Sequence, residues 1–291
     1  MSDNFILNFT PTGMIPTKEM TSFVPISISE IIEDVLCAND IGITMVHLHA
    51  RNPITNAPAY NKELYAEIIE GIRKYAPELV ICVSLSGRDF NKLEQRSDPL
   101  FLEGLLKPDM GSLTLSSLNF NKVASINSPD MINDLANLMI EKGIVPELEV
   151  FDTGMINYSK YLIKKGMIQP PFYFNLLLGN IACAQANLLH AGMMINELPE
   201  NSLWSLAGIG ADQLKMNSIS IAIGGGVRVG LEDNIWFDKS RTKLATNTDL
   251  LKRIHIIAQA NEREVMKSKE FRLEMNLEIG RGKYGRAAIE K

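Results

Sequence analysis

The densest chemistry in this sequence is a pair of histidines one residue apart, His47 and His49. On a strand, residues two apart project from the same face, so both imidazoles would point the same way. The chain has only four histidines in 291 residues, and the other two, His190 and His255, stand alone. Two neutral imidazoles side by side in an apolar interior are costly unless something pairs with both. A divalent metal does so, and imidazole pairs are common zinc ligands; two hydrogen-bonded core histidines are the competing reading. A catalytic metal also needs a third ligand and an open position. Glu232, in the run Gly230-Leu231-Glu232-Asp233-Asn234, is the candidate, although acid followed by Asn at a strand end is also ordinary turn chemistry. Arg228 shares strand parity with Glu232, and a buried guanidinium must be paired, for which Asp233 is a natural partner.

Other polar groups fall near strand ends. Ser84-Leu85-Ser86-Gly87 is followed by Arg88, and Ser112, Thr114 and Ser117 cluster further on. Their hydroxyls and backbone amides suit a carboxylate or carbonyl oxygen, and with no histidine beside them a serine-hydrolase reading is poor. Glu147 and Glu149 repeat the one-residue alternation of the histidines, but the register that decides their facing is open. Arg88 can meet a carboxylate, a phosphate or a structural acid, of which the structural role ranks first. The glycines Gly224-Gly225-Gly226 and Gly208-Ile209-Gly210 either bring backbone amides to a phosphate or merely permit positive φ. His190, His255, Met193 and Met194 fall on predicted helices and read as packing.

These groups need elements to hold them. Short apolar runs alternate with longer amphipathic ones. Strands are predicted at 5–9, 44–50, 79–85, 112–115, 145–151, 172–178, 203–207 and 226–231. Between them lie helices beginning near Ser27, over 62–75, around 91–96, from Ser128 to Gly143, up to Gly166, over 182–196, over 212–221 and over 248–260. Ser27 and Glu30 have capping-box spacing, and Ser128-Pro129 with Gly143 punctuates both ends of a helix. Eight strand–helix repeats predict a single-domain α/β fold, a closed TIM (β/α)8 barrel, since parallel strands need crossovers and closure removes both sheet edges. Barrel sites sit at the C-terminal rim, where His47, His49 and Glu232 would fall. An open doubly wound sheet is the runner-up.

Composition agrees with one globular domain: 46% hydrophobic and 22% charged residues, net charge -5. That balance argues against general nucleic-acid or anionic-membrane binding, and the basic cluster Arg281, Lys283 and Arg286 reads as a solvated end. Cys37, Cys82 and Cys183 are expected to be free, Cys37 and Cys82 as buried thiols. The start lacks signal-peptide character, and no apolar run nears the roughly 18 residues of a membrane helix, so a cytoplasmic location is expected.

Together these segments resemble the β-keto acid cleavage enzyme family, which includes 3-keto-5-aminohexanoate cleavage enzymes. The similar stretches are Val46-His47-Leu48-His49-Ala50-Arg51, Lys107-Pro108-Asp109-Met110, Ser117-Leu118-Asn119-Phe120, Pro146-Glu147-Leu148-Glu149-Val150, and Gly226-Val227-Arg228 through Asn234. The likeness runs through residues 1–275, leaving 276–291 as a tail of unknown role. It implies a TIM barrel, a homotetramer and one Zn2+ per chain on His47, His49 and Glu232. It also implies a Claisen-type exchange in which a β-keto acid and acetyl-CoA give acetoacetate and a new acyl-CoA. By position, Asp233 matches the base, Arg228 its neighbour, and Glu149 a member of the same network. Ser84, Gly87 and Ser112 match positions that bind the keto acid, and Thr114 is grouped with them. Where aminohexanoate enzymes carry a glutamate for the substrate ammonium, this chain reads Thr12-Gly13-Met14-Ile15, so a substrate without an amino group is expected. A metal-dependent hydrolase or aldolase on the same barrel is the alternative, and a metal that only stabilises the barrel a third.

Overall fold

In a computed structural model describing residues 4–280 and 284–285, eight parallel strands close into a ring. Arg281, Lys283 and Arg286 lie outside the described residues. The barrel strands are β1 (Leu7–Phe9), β2 (Met45–Leu48), β3 (Val80–Val83), β4 (Met110–Thr114), β5 (Val145–Val150), β6 (Phe172–Leu178), β7 (Ser202–Gly208) and β8 (Gly226–Val229). β1 pairs with both β2 and β8, which removes the open edges an untied sheet would leave. The predicted TIM barrel is the observed fold.

Helices α1 (Ile28–Ile41), α2 (Lys62–Tyr75), α3 (Leu93–Ser97), α4 (Pro129–Lys142), α5 (Thr153–Lys164), α6 (Leu188–Asn196), α7 (Gln213–Ala222) and α8 (Asn247–Ala260) connect successive strands or close the ring, and α9 (Ser268–Glu274) follows. The capping box at Ser27 and Glu30 is present, and Gly143 ends α4 in the left-handed conformation. Ile31, Val35 and Ala38 form the buried stripe of α1. Cys37 falls beside that stripe and is exposed, contrary to the expected buried thiol, whereas Cys82 on β3 is buried. Helix α6 starts six residues later than predicted (Leu188, not 182). The preceding segment is turn and loop, and Asn187 caps the helix by accepting from the His190 amide.

Along its axis the barrel is layered. At the N-terminal end Ile6, Met45, Val80, Met110, Val145 and Tyr173 form an apolar floor with Met266, Phe271 and Met275 from the C-terminal segment. Tyr284 packs into the same cluster and its hydroxyl accepts from the Gln169 amide. A buried ion-pair knot fastens α9 there. Arg272 grips both Asp109 oxygens at 2.8 Å, and Arg73 reaches Asp109 at 2.9 Å. The glycine run before β8 belongs to this end, not to the mouth. A Cβ on Gly225 would lie 2.0 Å from the Trp204 ring, so close packing and not phosphate approach requires it.

Above the floor lies a polar layer. Asn8 and Asn175 each donate to Glu147 Oε1 at 2.7 Å, and the Tyr173 hydroxyl bonds Asn175 and Ser205. Glu147 is completely buried. The layer is tolerated because most of its donors and acceptors are matched across four strands, Asn8 Oδ1 being the buried atom left without a partner.

Candidate active site

The C-terminal mouth carries the charged groups. His47 lies on β2 and His49 just follows the strand, and parity turns both rings inward as expected. Their Nε2 atoms stand 3.2 Å apart, and His49 Nε2 is 3.3 Å from Glu232 Oε1. Beyond Val229 the chain turns instead of continuing the strand predicted to residue 231; Asp233 and Asn234 amides donate to Gly230 O. That turn swings Glu232 over the histidines. Gly13, at φ +63°, makes room for it, because a Cβ there would sit 2.5 Å from Glu232 Cγ.

Arg228, on β8 and 2% exposed, is the hub. Its Nη2 donates to Glu232 at 2.7 Å, its Nε to Asp233 at 3.1 Å, and its Nη1 to Glu149 at 3.3 Å. Thr114 Oγ1 donates to the other Glu149 oxygen at 2.8 Å. Beneath, Glu147 Oε2 lies 2.5 Å from His47 Nδ1 and accepts from the Cys82 thiol at 3.2 Å. The mouth opens into a cavity of about 490 Å³ whose walls include Met14, Ser84, Ser86, Arg88, Phe120 and Leu177.

A sequence profile of the beta-keto acid cleavage enzyme family matches residues 4–277. The chain belongs to that family. It is 33% identical over 278 residues to a 3-keto-5-aminohexanoate cleavage enzyme of Fusobacterium nucleatum, covering 95% of this chain and 99% of the relative. It is 34% identical over 268 residues to a 3-oxoadipate:acetyl-CoA acetyltransferase of Cupriavidus necator, covering 91% and 92%. The apo structure of ObcA superposes with a TM-score of 0.74 over 88% of this chain and 66% of that one. At 17% identity it supports the fold alone.

The charge pattern of this cleavage-enzyme site follows from burial and neighbours. Burial alone would lower His47, but Glu147 and, further off, Glu232 outweigh it and lift the imidazole to about 9. His49 is depressed by burial, which Glu232 only partly offsets. Glu232 would be raised by burial, yet His49 and Arg228 hold it well below the usual carboxylate range. Burial lifts Asp233 to about 6, with Arg228 opposing and Glu232 adding to the rise. The point shared by His47, His49 and Glu232 therefore favours positive charge. A cationic His47 donating to a neutral His49 meets that demand, and so does a metal ion.

Two further observations fit a metal there. The donor atoms of His47, His49 and Glu232 lie within 4.8 Å of one another, and Glu232 Oε2 is buried without a hydrogen-bond partner. A second cluster, His47, Cys82 and Glu147, is equally compact. Burial, and then Glu147, push the Cys82 thiol well above its ordinary range, and it donates to Glu147 Oε2.

Of the residues singled out from sequence, His47, His49, Glu232, Asp233, Arg228, Glu149, Thr114 and Ser84 all border the cavity. Ser112 stands behind its wall, with its Oγ accepting from the Leu85 amide. Gly87 packs against Ile126 O and Arg96. His190 accepts from the Gln185 amide, and His255 bonds Gly42 O at the end of α1, so both serve packing. Met194 is buried as read, while Met193 is half exposed. Sequence reading left Glu147 without a role and passed over Asn8, Asn175 and Ser205. Parity with Glu149 was the available signal for Glu147, but its partner lies 100 residues away in sequence.

Proposed function

We propose that this enzyme exchanges acyl groups between a β-keto acid and acetyl-CoA, giving acetoacetate and a new acyl-CoA. The arrangement that carries this reading is one arginine clamping three carboxylates beside the His47, His49 and Glu232 cluster. Relatives named 3-oxoadipate:acetyl-CoA acetyltransferase and 3,5-dioxohexanoate:acetyl-CoA acetone transferase support it. His47, His49 and Glu232 would hold one divalent ion, and a set of two nitrogens and one oxygen suits zinc. Bound there, the ion supplies Lewis acidity to a ketone and so favours loss of the neighbouring proton.

Asp233 is the base that takes that proton from the carbon between ketone and carboxylate. Its pKa near 6 makes it a stronger acceptor than a carboxylate in water while leaving it ionised at neutral pH. Arg228 holds Asp233 and Glu232 in fixed relation, and Glu149, braced by Thr114, holds the far side of Arg228. Ser84 and Thr114 border the wall that receives the keto acid, while Ser112 and Gly87 support it from behind. Met14 and Ile15 border the same cavity and neither can pair with an ammonium, which supports a substrate without an amino group.

A homotetramer is in keeping with Ile181, Leu188, Leu189 and Met193, apolar side chains exposed on and just before α6. Three free cysteines are in keeping with a cytoplasmic location, and no helix among the described residues is long and apolar enough to cross a membrane. The test is acetoacetate formation from acetyl-CoA with neutral, cationic and dicarboxylic β-keto acids, with and without chelator. Chelator-sensitive acetoacetate with a matching acyl-CoA is expected, and faster turnover of the amino-substituted acid would overturn the substrate class. No product from any acid in a metal-loaded preparation would overturn the reaction.

A further inference from the structure

Arg88 differs from the other interior arginines. Arg51 donates to the carbonyls of Gly13, Asn56 and Pro16, and Arg96 to Leu85 O, Ile126 O and Asn127. Arg73 and Arg272 share Asp109, and Arg228 grips three carboxylates. The Arg88 guanidinium makes no hydrogen bond or ion pair among the described residues, and its Nε is buried without a partner. It lies 3.8 Å over the Phe120 ring and borders the cavity. The ring covers one face of the guanidinium, which leaves its edge donors for a planar acceptor.

The surroundings narrow the choice of acceptor. A half-buried guanidinium with unmet donors calls for an oxyanion, and a fork of N–H groups matches a carboxylate. Arg228 is already paired with three protein carboxylates, which offset its charge and oppose the approach of a further acid. Lys122 borders the cavity too, but it is exposed at the rim where water solvates it. Burial depresses Arg88 against the opposing charges of Glu232, Asp89, Glu149 and Asp233, and it lines the same cavity as Glu232, Glu149 and Asp233. The long pantetheine arm of CoA would keep its phosphates far from that position.

We propose that Arg88 receives a carboxylate of the β-keto acid. Ser84 and Ser86 stand on the same wall, and the Arg88 amide is anchored on Ser86 Oγ. This assignment rests on the acyl-exchange reading for its substrate, but its test needs no turnover.

Titration calorimetry of the full-length protein with hexanoate, adipate and acetyl-CoA, on wild type, Arg88→Met and Arg88→Lys, provides that test. Arg88→Met should weaken carboxylate binding by about tenfold or more, with Arg88→Lys between. Acetyl-CoA affinity, metal content and melting temperature should be unchanged. Equal losses for both acids support the assignment and identify the carboxylate common to every β-keto acid. A loss confined to adipate supports it and identifies a second carboxylate at the end of the side chain, making the substrate a 3-oxo dicarboxylate. Unchanged acid binding in Arg88→Met, no measurable acid binding to the wild type, or a loss confined to acetyl-CoA would each overturn it. Acid binding that depends on Arg88 in a protein that forms no acetoacetate would leave this assignment standing and remove the reaction.

Discussion

At the residue scale, Asp233 and Glu147 are two buried acids with opposite tasks. Asp233 shares Arg228 with Glu232, but among the described residues no hydrogen bond or ion pair joins it to His47 or His49, and it stands outside the cluster of candidate ligands. Asp233→Asn should therefore keep the metal content while turnover falls about 10²–10⁴-fold, the usual contribution of a general base. Metal analysis beside steady-state rates checks this, and loss of metal would make Asp233 a ligand. Glu147 accepts from His47 Nδ1 and so fixes the tautomer that leaves Nε2 facing His49. Glu147→Gln should weaken metal affinity about 10–100-fold in a chelator competition, with little change in the rate of fully loaded enzyme. The histidine pair was legible because strand parity alone turns both rings inward. Glu147 was not, since its meaning depends on which strand stands opposite, and only ring closure decides that.

At the element scale, α1 and α8 hold the segments flanking Glu232. Asn247 on α8 donates to Asp34 on α1 at 2.6 Å and to Pro11 O, and accepts from the Leu231 amide. Burial, against the Asn247 bond, raises Asp34 from 3.8 to about 6. The folded chain then binds this proton more tightly than the unfolded chain, so stability falls as pH rises from about 4 through about 6. Asp34→Asn removes that dependence. The variant should gain about 1–2 kcal/mol over wild type at pH 8 relative to pH 4.5, read from denaturant melts at both pH values and already discounted for partial exposure. An equal difference at both pH values would mean that Asp34 does not titrate there. Helices with side-chain caps, such as those at Ser27 and Ser128, were legible because a cap is a local signal. The start of α6 and the end of β8 were not, because turns held by Asn180, Gln185 and Gly230 interrupt runs whose composition continues the element.

At the scale of the whole molecule, chemistry and fastening occupy opposite ends of the barrel. Alternating strand and helix periodicity was enough to predict the ring. The floor was not foreseen, because α9 is only seven residues long and its anchor, Asp109, is 163 residues distant. Arg272→Met strips one of two arginines from Asp109 and, with Arg73 still paired to it, should cost about 1–3 kcal/mol, seen as a clear drop in melting temperature. Metal content and turnover at 25 °C should persist in the folded fraction, since the mouth lies at the far end. Joint loss of stability and metal would instead mean that the two ends are coupled.

The closed floor also bears on traffic. With Phe271 and Met275 stopping the bottom, the reaction chamber opens at the mouth among the described residues. Two reactants and two products must share it, so whichever molecule enters second screens the first from solvent. An ordered release is therefore expected, the occupant nearest the rim leaving before the one against the histidines, and product-inhibition patterns check it.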